Sequence, residues 1–351
     1  MVGQWAPGKR VSNLLSASAV AVLTVAVSCP VGATVDVSAN KRLNPPALGD
    51  VLYAAGPVAD SAATRAPNVA QVPPAQLRRY RTAAGEDVKI WFPDSSVDEA
   101  QVEEWVTDFV GSLLHGDELE DVTFVMVAPP EIAGWCGPHA AACYLPIVPY
   151  MIIAPSEDPG GPMTAKAILA HEYGHHVANS RSNAPWSALS YGTKRWASYV
   201  DVCAATLAGQ FFPGDGFEHY ALNPGEGFAE AYRVVNERRR GAVEAPWRLV
   251  DERFYPDGAA AALIEQDVLN PWAAHTTSTY RGRFTPGGPN RQSFEVATGL
   301  DGIATASVRA TKGARFRVTQ SVATVCGQRI TYFTVRRVKG FGKFVLSVSR
   351  P

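Results

Sequence analysis

The segment His171-Glu172-Tyr173-Gly174-His175 constrains this chain more tightly than any other. On a helix, residues four apart lie on one face, one turn above the other. His171 and His175 can therefore offer two imidazole nitrogens to one tetrahedral metal ion. Glu172 is rotated by about 100° around the axis. It stands beside such an ion rather than aiming at it, placed to take a proton from an attacking water. With only 7 histidines in 351 residues, an unordered chain of this composition would produce the pattern by chance about 0.007 times. Leu169, Tyr173 and Val177 form an apolar stripe on another face. Ala170, Gly174 and Ala178 form a small-residue stripe where a second helix can approach closely. The plainer alternative is a helix whose histidines are solvated or satisfied in a core.

A catalytic zinc takes three protein ligands and keeps one position open. A histidine six residues after His175 is one known solution, but Arg181 occupies that position, and Ala178 stands where a glycine would precede it. The better candidate lies in Asn223-Pro224-Gly225-Glu226-Gly227-Phe228-Ala229-Glu230-Ala231-Tyr232. Pro224 suits the first position of a helix. Glu226 and Glu230 then share a face, while Phe228, Tyr232 and Val235 make a buried stripe. Acids near a helix start also favour its dipole, which is the bland account of both. The sharper account makes Glu226 the third ligand and Glu230 the partner of the far nitrogen of a ligand histidine.

Hydrophobic residues make up 46 % of the chain and charged ones 19 %, enough apolar surface to exclude a disordered chain. Residues 1–33 read as an export signal: Lys9 and Arg10, then an apolar run from Val11 to Ser28, then the small-residue site Val31-Gly32-Ala33. Ala26-Val27-Ser28-Cys29 is a weaker match to a lipoprotein cleavage site. Removing the signal leaves Cys136, Cys143, Cys203 and Cys326, which outside a reducing cytosol suggest two disulfides. Three connectivities are open. The short loop favours Cys136–Cys143, which leaves Cys203–Cys326 to tie two modules.

Residues 34–76 are rich in Ala, Pro and Val and read as a linker or short pro-segment. A strand is expected over Glu86–Phe92. Ser96-Val97-Asp98-Glu99 is a capping box opening a helix with Val102, Trp105, Val106, Phe109 and Leu113 at helical spacing. Val122–Ala128 reads as a buried strand. Cys143–Ala154 is extended and apolar but carries Pro146 and Pro149, so it is expected at a sheet edge. Helices follow from Gly161-Pro162 to about Asn179, over Lys194–Gln210, from Pro224 to about Arg240, and over Gly258–Leu269. After His275 come short strands over Phe294–Thr298, Ala304–Ala310, Arg315–Val322, Ile330–Val338 and Phe344–Val348, broken by Gly, Pro and Asn and with no repeat period, the pattern of a small sandwich.

The formal charge of −1 hides a division. Residues 275–351 hold 13 Lys+Arg against 2 Asp+Glu, a net of +11, whereas residues 34–274 hold 17 against 31, a net of −14. Such asymmetry suggests separate modules. Either the two attract and dock, or the basic one holds an anionic cell-wall or polysaccharide polymer. No motif supports nucleic acid.

Taken together, HEYGH and the later EGFAEAY resemble the glutamate-zincin metallopeptidases, most closely the compact group around the catalytic domain of anthrax lethal factor. The resemblance covers roughly Glu86–Trp272. It implies an α+β, two-lobed zincin-like fold over residues 77–274, here followed by a small all-β sandwich at 275–351. It implies one Zn²⁺ per chain on His171, His175 and Glu226, with Glu172 as the base. It implies an oxyanion-stabilising Tyr or His, for which Tyr220 is the best match and His219 the alternate. The implied activity is hydrolysis of a protein or peptide laid antiparallel to the edge strand, in a secreted enzyme. His176, next to the motif, points elsewhere and suits a surface or supporting role, and His139 suits a structural one. Two rival functions remain: a non-catalytic surface protein that binds through its basic tail, and a zinc hydrolase of cell-wall peptide crosslinks.

Overall fold

The computed structural model describes residues 76–93, 99–138, 140–155, 164–242, 248–321 and 325–351. The signal, the linker as far as Ala75, Ser96–Asp98 of the capping box, His139 and Gly161-Pro162 lie outside these residues.

The N-terminal part is a five-stranded mixed sheet packed on helices. Its strands are β1 (Leu77–Arg81), β2 (Asp87–Trp91), β3 (Thr123–Met126), β4 (Cys143–Leu145) and β5 (Tyr150–Ile153), in the spatial order β1-β2-β3-β5-β4. β2, β3 and β5 run parallel, and the two outer strands run antiparallel to their neighbours. Alternation along the inner strands divides the side chains between two cores. Phe124, Met126, Met151 and Ile153 face the main core, while Val125 and Ile152 face a smaller one with Ile132 and Trp135. Helix α1 (Glu99–Ser112) buries Val102, Trp105, Val106 and Phe109 in the main core, at the spacing the sequence shows. Helix α2 (Pro129–Cys136) covers the other face.

The expected strand over Cys143–Ala154 is instead a hairpin. Pro146 and Pro149 lie in the turn between β4 and β5, where a residue without an N–H costs no ladder bond. Only Cys143–Leu145 is an edge; β5 lies inside the sheet.

Helix α3 (Ala165–Asn179) carries the HEYGH segment and is capped by the Thr164 hydroxyl, which accepts from the Ala167 N–H at 3.2 Å. Short helices α4 (Ala188–Tyr191), α5 (Lys194–Tyr199) and α6 (Val202–Leu207) follow. The single helix expected over Lys194–Gln210 is thus two, broken at Asp201, whose φ of 56° lies in the left-handed region that Asp tolerates. Helix α7 (Pro224–Arg239) is almost wholly buried, and α8 (Gly258–Leu269) closes this part with the bounds read from the sequence.

α3 and α7 pack through the small-residue stripe. A Cβ on Gly174 would lie 2.7 Å from the Ala229 Cα, so only glycine lets the two backbones come this close. Arg181, at the failed histidine position, is structural: it donates to the buried Glu118 carboxylate at 2.6 Å.

Residues from Thr276 onward form two three-stranded antiparallel sheets, β7-β10-β9 and β6-β11-β8. Their strands are β6 (Thr276–Phe284), β7 (Arg291–Thr298), β8 (Thr305–Ala310), β9 (Arg315–Gln320), β10 (Arg329–Lys339) and β11 (Gly342–Arg350). A separate apolar core built on Phe284, Phe316, Phe333, Phe344 and Leu346 lies between them. This part docks on the first through Cys203–Cys326, the second of two disulfides. Ser198 Oγ also accepts from the Asp301 N–H at 2.9 Å. The other disulfide is Cys136–Cys143. Both pairings are those the spacing favours.

Among the described residues, no helix is long and apolar enough to cross a membrane.

Candidate metal centre

The site forms where α3 crosses the start of α7. His171 and His175 project from one face of α3, with ring centroids 5.1 Å apart. Glu226, in the first turn of α7, reaches both: its Oε2 lies 3.2 Å from His171 Nε2 and 3.2 Å from His175 Nε2. One ligand atom from each residue lies within 4.8 Å of the others, so this group could hold a metal ion. The local sequence explains the placement. Asn223 caps α7 by accepting from the Gly225 N–H at 3.0 Å, and the same oxygen accepts from Gly214 at 3.1 Å. Gly225 is required by crowding, since a Cβ there would sit 2.5 Å from the Leu189 carbonyl oxygen.

The donor set suits zinc. Two imidazoles and one carboxylate leave a tetrahedral ion one open position. A ligating histidine also usually gives its second N–H to a carboxylate, and here His171 Nδ1 donates to Glu230 Oε2 at 3.3 Å. That contact fixes Nε2 as the nitrogen facing the site. Glu230 is fully buried and held in turn by Arg233, which donates from Nε at 2.8 Å and from Nη2 at 2.6 Å. Arg233 also donates to Glu237, and the Tyr255 hydroxyl donates to Glu230 at 3.2 Å.

The electrostatics follow from this packing. Burial opposes charge on His171, but hydrogen bonds to Glu226 and Glu230 outweigh it and raise the imidazole to about 10. Burial also opposes charge on Glu226, yet both histidines hold its carboxylate well below the usual range. Arg233 and His171 overcome burial at Glu230 and bring it to about 2. Glu172 goes the other way. Burial raises its carboxyl more than the neighbouring imidazoles lower it. That is the direction a group needs if it is to accept a proton and give it back.

These residues line a cleft of about 560 Å³. Ala140–Tyr144 form one wall, beginning in the Cys136–Cys143 loop and ending in β4. Tyr144 of β4 lies beside Glu172, and its backbone N–H helps to lower that carboxyl. Gly214, Gly216, Phe217 and Tyr220 also line the cleft. Tyr220 sits beside Glu226; burial and that carboxylate push its acidity far down. His219, the alternate, is engaged elsewhere: its Nδ1 bonds Asp215 at 2.7 Å and its ring stacks on Phe212.

His176 is buried rather than exposed. Its Nε2 donates to the Glu118 carbonyl at 2.7 Å, and its Nδ1 accepts from the Tyr144 hydroxyl at 3.0 Å. Asn179 donates to the same hydroxyl at 2.9 Å. Burial lowers the His176 pKa, in keeping with a neutral ring of that tautomer. This trio anchors β4 over α3. Sequence reading missed it, although His176 and Asn179 sit three apart on one helix face. It also missed Arg233, whose spacing of three and four from Glu230 and Glu237 was a visible signal.

Neither a protein-family model nor a curated protein matches this chain.

Proposed function

We propose that this chain is a secreted zinc-dependent endopeptidase of the glutamate-zincin kind. The observation that carries the reading is the convergence of His171, His175 and Glu226 atoms within 4.8 Å of one another in a cleft that Glu172 also lines. When bound, zinc would supply a Lewis acid that acidifies water and polarises a carbonyl.

The chain's own groups do the rest. β4 is the edge strand beside Glu172, and an extended substrate laid along it would pair with its outward main-chain groups. Glu172 accepts a proton from the attacking water. The water oxygen bonds to the peptide carbon, the C–N bond breaks, and Glu172 returns the proton to the leaving amine. The Tyr220 hydroxyl donates toward the developing oxyanion, a role its place beside Glu226 supports. Glu230 keeps His171 in the tautomer the site needs. Two disulfides support an oxidising compartment.

The test is the metal content of purified protein together with a casein or mixed-peptide assay, with and without a chelator. One zinc per chain and chelator-sensitive cleavage are expected. Bound zinc with no cleavage of any peptide would favour a binding protein built on the same scaffold.

A further inference from the structure

We propose that the outward face of the β6-β11-β8 sheet binds an anionic polysaccharide, gripping its charges with arginine and lysine and its sugar hydroxyls with serine and threonine. The register makes the case. Across the three strands, Val345 of β11 lies opposite Arg281 of β6 and Arg309 of β8. One row further, Lys343 lies opposite Arg283. In the other direction, Ser347 lies opposite Thr279 and Ser307, and Ser349 opposite Thr277 and Thr305. Phe284, Phe344, Leu346 and Val348 point the other way, into the sandwich core. The outward face is therefore two rows of hydroxyls running into two rows of cations.

This arrangement is poorly suited to standing alone. Like charges directly opposite on neighbouring strands repel, and Lys343 and Arg283 are such a pair. None of the three strands contains an Asp or Glu. Among the described residues, the four cations have no carboxylate partner and the six hydroxyls no hydrogen bond within the chain. Arg281 and Arg309 sit two strand spacings apart, about 10 Å, with only Val345 between them. Guanidinium forks fit carboxylate and sulfate groups, and Ser and Thr hydroxyls both donate and accept.

The same face argues against other polyanions. Single-stranded nucleic acid binding uses aromatic stacking platforms, and no aromatic points outward here. Interfacial membrane binding adds buried apolar side chains to charge attraction, and Val345 is the one apolar residue on the face. The inference is independent of the peptidase reading.

The experiment uses the full chain and two probes, heparin for sulfated and polygalacturonate for carboxylated polymer. One variant replaces Arg281, Arg283, Arg309 and Lys343 with Ser. A control removes equal charge from the opposite sheet by changing Arg291, Arg315, Arg317 and Arg336 to Ser; that face also sets arginines side by side, but it carries Glu295 and its hydroxyls Ser293 and Thr334 bond each other. A third replaces Thr279 with Val and Ser307 and Ser347 with Ala. Thermal melts check that each folds. The first variant is expected to lose at least tenfold in affinity for one or both polymers and to flatten the salt dependence, because fewer counterions are released. The control should lose under threefold. The third variant should weaken binding severalfold at unchanged salt slope. Failure of the wild type to bind either polymer, equal losses in variant and control, or no effect of hydroxyl removal would each overturn the proposal. So would single-stranded DNA or anionic vesicles binding as tightly through the same four cations.

Discussion

Gly174 of α3 and Ala229 of α7 meet backbone to backbone, so near that a single methyl group on Gly174 would lie 2.7 Å from the Ala229 Cα. This contact fixes the separation of the two helices that carry the three candidate metal ligands. Gly174→Ala should therefore cost about 1–3 kcal/mol by overpacking, although alanine is the better helix former by about 1 kcal/mol. Zinc affinity should fall with it. Thermal melts and a competitive zinc titration read both, and a variant with a higher Tm and unchanged affinity would show that the contact does not set the geometry.

Glu172→Gln should leave zinc bound and reduce kcat by at least about 10²–10⁴-fold, the usual contribution of a positioned base. KM should change little. Retained turnover would remove Glu172 from the mechanism.

Glu230 touches no substrate, yet it supports His171 and neutralises the buried Arg233. Glu230→Gln should weaken zinc binding by about 10–100-fold. Stability should also fall, because a buried charge loses its ionic partner. A Glu237→Gln comparison separates the effects: it too weakens the hold on Arg233 but leaves the His171 contact intact. Equal zinc affinity in the two variants would assign Glu230 to folding alone.

Lys194 is buried where the two parts meet, 2.6 Å from the Ala184 carbonyl and 4.8 Å above the Trp272 ring. Burial lowers its pKa to about 8 from an ordinary 10.5. With the folded value depressed, the unfolded chain holds more protons between those two values, so stability rises with pH across that window. The stability is fully present above 10.5 and lost as pH falls through 8, by roughly 3 kcal/mol in all. The Tm difference between wild type and Lys194→Met should shift in favour of wild type from pH 7.5 to 10.5. A flat difference would mean that the amine keeps its ordinary affinity for protons.

Much of this was legible in the chain, because the informative features are local. The bounds of α8, the apolar stripe of α1, and the Gly174 stripe all follow from side-chain spacing within one helix. So does the pairing of Glu226 and Glu230 on one face. What was missed depends on neighbours. β1 reads Leu-Arg-Arg-Tyr-Arg, too charged to suggest a strand, and exists because β2 offers it an edge. β6 hides for a related reason: its outward residues are hydroxyls and cations, so its alternation shows only once the inner face is known. The hairpin over Cys143–Ile153 read as one strand because the turn between β4 and β5 is itself apolar. Asp201 breaks its helix through a backbone conformation that no periodicity reports.

The bond between Cys203 and Cys326 closes a span of 123 residues. By the chain-entropy estimate, its removal in a Cys203→Ser/Cys326→Ser pair should cost about 3–5 kcal/mol. It has a second consequence. A nick at any backbone position inside that span liberates no fragment: the pieces stay tethered and migrate as one species until reductant is added. A molecule whose proposed chemistry is cutting polypeptides, itself included, would survive such self-inflicted scission with its two halves still joined.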